Sequence, residues 1–188
     1  MPTLQSNELD QALEYFDQTK KRVLGITSGL TDAQWHFKPT PDRWSIAQNL
    51  EHMVMVEDRV LGPVRELLAQ APPPPPGFDR ALIDRIAIEK IPDRSRKATA
   101  PEFIHPGSQL TPPEALARLS QNYQRLAEYV TSTPDLREHI IESPPLRFVT
   151  DGAHTSMDGF QWALALAAHD ERHVRQIAEV QAHADYPR

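Results

Sequence analysis

The sequence predicts an all-α protein folded as a four-helix bundle, and three observations support this prediction. Four long segments carry apolar side chains at helical spacing. No segment between them shows the alternation of Val, Ile or Thr that is typical of strands, so a sheet is not expected. Most of the 18 prolines cluster between the four segments, where they interrupt helices. Because 188 residues suffice for one buried core, we expect a single domain over residues 1–188.

The first two helices are predicted over residues 6–28 and 45–70. Each has apolar residues on one stripe and charged residues opposite, as expected of helices that pack in a bundle. Ser6 is the expected N-cap of the first helix. The Gly62-Pro63 pair in the second predicts a kink or a break, because proline removes a helical hydrogen bond.

The third helix is expected to start after Thr111, with a proline at its first position and Glu114 at its third, which is the pattern of a capping box. A fourth helix is predicted over residues 156–183. Between the second and third helices lies a proline-rich insert over about residues 71–110, with a short helix expected near residues 79–89. Connections of this length are uncommon unless they serve a function.

The composition excludes several classes of protein. The chain has no cysteine, which rules out disulfides, thiolate metal sites and a cysteine nucleophile. Its net charge of −6 argues against a nucleic-acid or anionic-membrane partner, because both require a basic face. The sequence contains no apolar run long enough for a membrane span and no signal-peptide pattern at its start. We therefore expect a cytoplasmic protein.

Two histidines in the fourth helix, His169 and His173, are the first candidates for chemistry. Four residues apart on a helix, they share a face and can reach one metal ion. In a chain with eight histidines, about one third of a pair with this spacing is expected by chance. The spacing alone therefore makes two ordinary core histidines as plausible as a metal site. The pair is not the metalloprotease motif, because Glu171 stands on another face of the helix.

His52 favours the metal site over the core pair. It follows Ser45, the expected N-cap of the second helix, by seven residues, which is two helical turns. Taken alone, His52 would be interpreted as a histidine at the edge of the core whose ring nitrogens have ordinary hydrogen-bond partners. Together with the pair in the fourth helix, it supplies the third neutral nitrogen of a three-histidine site.

At these residues the sequence resembles the DinB-like (DinB/YfiT) superfamily. The resemblance rests on two short motifs in the order and four-helix context of that family. The first is an aromatic-Ser-apolar run ending in histidine, formed here by Trp44, Ser45, Ile46, Leu50 and His52. The second is a His-x-x-x-His-x-x-Gln-Ile run, formed here by His169, His173, Gln176 and Ile177.

The resemblance implies an up-down-down-up bundle with one divalent metal, zinc or nickel, held by His52, His169 and His173. Imidazole ligands suit both metals. The family includes transferases and isomerases that use low-molecular-weight thiols, many members without an assigned reaction, and frequent dimers. The resemblance therefore implies a homodimer that acts on a small molecule. The proline-rich insert departs from the compact members of the family.

Three functions follow from this interpretation: a thiol-dependent S-transferase, a metal-dependent hydrolase, and a metal- or ligand-binding module without catalysis. The three ligands suit the first two equally, and the resemblance favours the S-transferase. A general base beside the metal would favour an enzyme. The acidic candidates are Glu51, Glu57, Asp58 and Asp170.

Other polar residues have a possible place around the site. Gln176 is a candidate partner of the metal ligands, and His154 is a candidate extra site residue. A basic run in the insert would either be solvated or bind carboxylates of a substrate. That run consists of Arg94, Arg96 and Lys97.

Overall fold

Four long helices pack side by side in the computed structural model, which describes residues 6–188. They are α1 (Ser6–Ile26), α3 (Ile46–Leu68), α5 (Pro112–Ser132) and α7 (Gly159–Gln181). The shorter elements are α2 (Asp32–His36), α4 (Arg80–Lys90), a 3₁₀ turn (Glu102–Ile104), β1 (Ile140–Glu142), α6 (Pro144–Val149) and β2 (Ser156–Asp158). Helix α1 packs against α5, and α7 packs against both α1 and α3. The predicted four-helix bundle is confirmed.

Two bundle helices, α3 and α5, start after the predicted capping residues. At α3, the Ser45 hydroxyl accepts a hydrogen bond from the Gln48 backbone N–H, and the Gln48 side chain accepts one from the Ser45 N–H. At α5, the Glu114 carboxylate accepts a hydrogen bond from the Thr111 N–H at 2.9 Å. Residues 1–5 and the side chain of Ser6 lie outside the described part of the chain. The N-cap role of Ser6 therefore stays a prediction.

The Gly62-Pro63 pair does not split the second long helix, which continues through it to Leu68. A proline inside a helix removes one backbone hydrogen bond and crowds the preceding turn. The buried Leu61 and Val64 on either side of the pair hold this stretch against the bundle. Tertiary packing therefore outweighs the local preference for a break.

A two-stranded antiparallel sheet precedes α7, which corrects the expectation of a purely helical chain. Ile140 of β1 is paired with Asp158 of β2. Each strand has three residues, too few to show an alternating pattern in the sequence. The sheet also shifts the start of the fourth long helix from the predicted residue 156 to Gly159.

The start of α7 is fixed by its own cap and by a close contact. The Asp158 carboxylate accepts a hydrogen bond from the Gln161 backbone N–H at 2.8 Å, as an N-cap should. A Cβ atom at Gly159 would stand 2.6 Å from the Tyr129 hydroxyl oxygen, which explains why glycine occupies the first helical position. This end of α7 therefore sits directly against α5.

A buried arginine joins the insert helix α4 to the bundle. Arg137 is 3% exposed and its guanidinium contacts the carboxylates of Asp84 in α4, Asp158 before α7, and Glu8 in α1 at 2.7 to 3.1 Å. The guanidinium also stacks over the Phe160 ring. One cation thus ties three elements together.

The insert then continues along the outer side of α7. Arg172 donates hydrogen bonds to the carbonyl oxygens of Asp93 and Arg96, and Arg175 donates one to that of Pro92. This path carries the insert toward the middle of α3 and α7.

None of the helices in residues 6–188 combines the length and apolar content needed to cross a membrane.

Candidate metal centre

The three predicted histidines converge at the contact between α3 and α7. The Nε2 atom of His169 lies 3.2 Å from the Nε2 atoms of both His52 and His173. One nitrogen from each ring falls within 4.8 Å of the others. His52 and His173 are buried, whereas the His169 side chain is 22% exposed. The structure therefore brings together the three side chains that the sequence singled out.

His52 is oriented by the backbone of the insert. Its Nδ1 atom donates a hydrogen bond to the carbonyl oxygen of Ile104, at the end of the 3₁₀ turn, over 2.7 Å. A carbonyl oxygen can only accept, so the proton of the neutral ring resides on Nδ1. The lone pair is then on Nε2, which faces the other two histidines.

His173 is oriented in the same sense by a side chain of α3. Its Nδ1 atom lies 2.9 Å from the Oδ1 atom of Asn49, and the Asn49 amide nitrogen donates to the Ser45 carbonyl at 2.8 Å. That second bond fixes which way the amide faces, so Oδ1 is the acceptor for His173. The Nε2 atom of His173 is again left with its lone pair.

Burial keeps both of these rings neutral. It lowers the pKa of His52 to about 3, with a further contribution from the neighbouring His169. Burial also lowers the pKa of His173 well below its ordinary value, and the other two imidazoles act in the same direction. Neutral imidazoles are the form that binds metals.

The donor set fits a divalent metal ion. Two imidazoles on a tetrahedral zinc ion, with Zn–N distances of about 2.0 to 2.1 Å, have their nitrogens roughly 3.3 Å apart. The two closest nitrogen pairs here are separated by 3.2 Å. The lone pairs of His52 and His173 face the Nε2 atom of His169, and a cation bound by all three nitrogens fits this arrangement.

The half-buried Trp44 flanks two rings of the cluster. The Trp44 ring centroid lies 4.7 Å from that of His52 and 6.1 Å from that of His173, nearly parallel to the latter. His105, from the insert, meets the other side of Trp44 edge-on at 6.0 Å. Trp44, the aromatic residue of the first sequence motif, therefore forms part of the site.

Glu51 fastens the insert over the site rather than serving as a base. Its two carboxylate oxygens accept hydrogen bonds from the backbone N–H groups of Ser108 and Gln109 at 2.7 and 2.6 Å. These bonds hold the segment that begins with Ile104, the acceptor of the His52 proton. Glu51 is 2% exposed, and it acts on the site through this loop.

The other acidic candidates also have partners away from the open side of the cluster. Asp58 contacts Arg118 and Arg125 at 3.1 and 3.3 Å. Glu57 and Asp170 are buried side by side behind His169. Burial and the adjacent Asp170 raise the pKa of Glu57 well above its ordinary value.

The remaining candidates take part in surface contacts of α7 and the insert. Arg94 donates to both carboxylate oxygens of Glu179 at 2.7 and 2.8 Å and to the side-chain oxygen of Gln176 at 2.9 Å. Arg96 contacts Asp151 at 2.8 Å. Lys97 is exposed. The side-chain oxygen of Gln176 is thus bound by Arg94, beside the path of the insert.

His154 lies in the turn before β2, where its backbone contacts the Thr150 hydroxyl, and it is not part of the histidine cluster within residues 6–188.

The hydrogen-bond partners of His52 and His173 were not predicted from the sequence. Asn49 could have been found, because it precedes His52 by three residues and shares its helix face. The Ile104 carbonyl could not, because every residue has one.

The fold and the three-histidine cluster together define a helical-bundle protein with a site that could hold a divalent metal. A profile of the DinB superfamily matches residues 15–177. The chain therefore belongs to the DinB superfamily, as its resemblance to that family predicted.

Two Bacillus subtilis proteins are similar to this chain. YuaE of strain 168, described as uncharacterized, is 22% identical over 169 residues, which cover 89% of this chain and 96% of YuaE. The solved structure of YfiT, described as a probable metal-dependent hydrolase with an unusual four-helix bundle topology, has a TM-score of 0.62 and 12% identity. That match covers 100% of this chain and 93% of YfiT, and it establishes the shared fold.

Proposed function

We propose that this chain is a metal-dependent enzyme in which His52, His169 and His173 hold one divalent ion, zinc or nickel. The observation that carries the proposal is the convergence of three imidazole nitrogens within 4.8 Å. A divalent ion held by three neutral imidazoles is a Lewis acid that lowers the pKa of a water or thiol bound beside them. A set of three protein ligands is typical of catalytic sites, because a closed structural site takes four.

Hydrolysis of a small-molecule substrate is the reaction we favour. The fold shared with YfiT, a probable metal-dependent hydrolase, supports this choice. The insert supplies a second argument, because Arg94 and Arg96 are two of the three basic residues, with Lys97, that were candidates to bind the carboxylates of a substrate such as a thiol. Both guanidinium groups are paired with acidic side chains of this chain, Glu179 and Asp151.

The protein side chains would contribute orientation and shielding. Ile104 and Asn49 hold two rings with Nε2 free for the ion, and Trp44 excludes water from one side. The partly exposed His169 marks the side from which a substrate would approach. The four acidic candidates are bound or buried elsewhere, so nucleophile activation would depend on the metal site.

A thiol-dependent S-transferase is the alternative, and it draws on the family resemblance. The chain has no cysteine, so a sulfur ligand would have to arrive with a substrate. Zinc-loaded protein should hydrolyse members of a panel of simple esters and amides, and the cobalt-loaded form should show no sulfur-to-metal charge-transfer band with low-molecular-weight thiols.

His52→Ala is the inactive control for these assays, and Gln176→Ala, which alters a surface contact of α7, is the active one. A charge-transfer band without hydrolysis would replace the hydrolase with the transferase. Neither activity in fully metal-loaded protein would favour a binding module and contradict the proposal.

We also propose a homodimer, on the basis of the family resemblance. The exposed large apolar side chains of residues 6–188 lie on five different elements, so no single helix supplies an apolar strip for it. These side chains are Leu24, Leu67, Ile88, Phe103 and Phe148. Light scattering should give twice the 21.3 kDa mass of the chain, and the monomer mass at micromolar concentration would contradict the dimer.

A further inference from the structure

A buried carboxyl pair lies behind the histidine cluster, where three of the long helices meet. Glu57 comes from α3 and Asp170 from α7, and both are buried. Tyr123 of α5 donates its hydroxyl hydrogen to Oδ2 of Asp170 over 2.9 Å. The other oxygen of Asp170, Oδ1, stands 3.6 Å from the Nδ1 atom of His169. The carboxyl pair therefore adjoins His169, the histidine of the cluster whose Nδ1 atom has no hydrogen-bond partner among residues 6–188.

The three histidines differ in what their Nδ1 atoms contact. Those of His52 and His173 donate to oxygens at 2.7 and 2.9 Å. The Nδ1 atom of His169 is buried and has no hydrogen-bond partner within the described residues. A buried N–H without an acceptor costs about 1 to 3 kcal/mol. Oδ1 of Asp170, slightly beyond hydrogen-bond distance, is the oxygen positioned to serve it.

We propose that Asp170 is the positioning residue for His169: its carboxylate accepts the Nδ1–H of the ring, so that Nε2 keeps its lone pair for the ion. Metal-binding histidines generally donate their second N–H to such a partner, which fixes the ring and raises its basicity. This inference rests on the proposed metal site. It completes a pattern in which each of the three ligands has its own oxygen acceptor.

Tyr123 holds Asp170 in this role. Its hydroxyl donates to Oδ2 of Asp170, which leaves Oδ1 without a partner among the described residues and 3.6 Å from the Nδ1 atom of His169. A carboxylate behind three neutral imidazoles would also offset part of the charge of a divalent ion.

The test compares Asp170→Ala with the control variant Glu66→Ala, which removes an exposed carboxylate of α3. Zinc affinity, measured by competition with a chelating dye, should fall 10- to 100-fold in Asp170→Ala and stay within about threefold of wild type in Glu66→Ala. If Asp170→Ala does not fold, Asp170→Leu takes its place, because its side chain has a similar size and offers no acceptor.

A second readout needs no metal. In metal-free protein, nitrogen-15 NMR of the imidazoles should show His169 with its proton on Nδ1, and Asp170→Ala should lose that preference while His52 and His173 keep theirs. A proton on Nε2 of His169 in the wild type, or an unchanged affinity and tautomer in Asp170→Ala, would overturn the inference. Because the tautomer is read without metal, a protein that failed to bind zinc would refute the proposed function and still test Asp170.

Discussion

The Nδ1 atom of His173 lies 2.9 Å from the Oδ1 atom of Asn49, and this contact joins the two helices that carry the histidine cluster. Both side chains are buried, Asn49 completely. The amide is in turn fixed by its bond to the Ser45 carbonyl. The N-terminal turn of α3 thus sets the orientation of a ring on α7.

Replacing Asn49 by alanine should weaken zinc binding by 10- to 100-fold, because His173 loses the acceptor that selects its tautomer. The measurement is zinc affinity by chelator competition. Gln176→Ala on α7, which removes a contact with Arg94, is the matched control and should bind as wild type does. Equal affinities of Asn49→Ala and wild type would show that this contact does not orient His173.

Glu51→Ala should release the end of the insert, because the Ser108 and Gln109 N–H groups lose both of their carboxylate acceptors. Limited proteolysis should then cut the insert between residues 92 and 110 several times faster than in wild type. Zinc affinity should fall as well, since Ile104 no longer holds His52. Glu102→Ala, an exposed position in the 3₁₀ turn, is the control. Unchanged proteolysis would mean that the insert is held by other contacts.

The buried histidines predict an acid-sensitive metal-free protein. Because the pKa of His52 is about 3 in the folded chain and about 6.5 when unfolded, the unfolded state binds the additional proton between these values. The free energy of unfolding therefore decreases as the pH falls from about 6.5 towards 3, by about 1.4 kcal/mol per pH unit for this ring.

Urea unfolding in the presence of a chelator, at pH 6 and pH 5, tests this dependence. His52→Gln should lose less stability than the wild type between the two pH values, by roughly 1 kcal/mol, because the glutamine does not titrate. The same loss in both proteins would contradict the neutral, buried state of His52.

Arg137→Met should destabilise the fold by about 3 to 5 kcal/mol, because Asp84 and Asp158 would keep partly or fully buried charges without their cation. The measurement is urea unfolding at neutral pH. Arg85→Met, an exposed position on the same insert helix as Asp84, should change stability by less than about 0.5 kcal/mol. A loss under 1 kcal/mol in Arg137→Met would contradict the role of Arg137 as the link between α4 and the bundle.

The elements predicted correctly were those with long, repeated patterns. Four amphipathic segments, the capping residues Ser45 and Thr111, and the short helix in the insert are local properties of the chain, and the structure has them within a few residues. The sheet was missed because Ile140–Glu142 and Ser156–Asp158 are too short to carry a pattern. The fourth long helix starts at Gly159 and not at the predicted residue 156, because the strand β2 occupies the predicted first turn.

The structure brings the three predicted histidines together, but their surroundings were not predicted. His169 and His173 share one helix face by spacing, and His52 was found through its place in the second helix. The acceptors of His52 and His173 lie on other elements, the Ile104 carbonyl in the insert and the Asn49 side chain on α3. Such contacts depend on how helices pack, which a single sequence does not specify.

Metal-edge X-ray absorption of protein loaded with one equivalent of zinc tests the central claim most directly. The account predicts three imidazole nitrogens at about 2.0 Å in the wild type, and loss of one of them, with weaker binding, in each of His52→Ala, His169→Ala and His173→Ala. A wild-type spectrum with one imidazole or none, or a full zinc complement with unchanged ligands in His52→Ala, would contradict it.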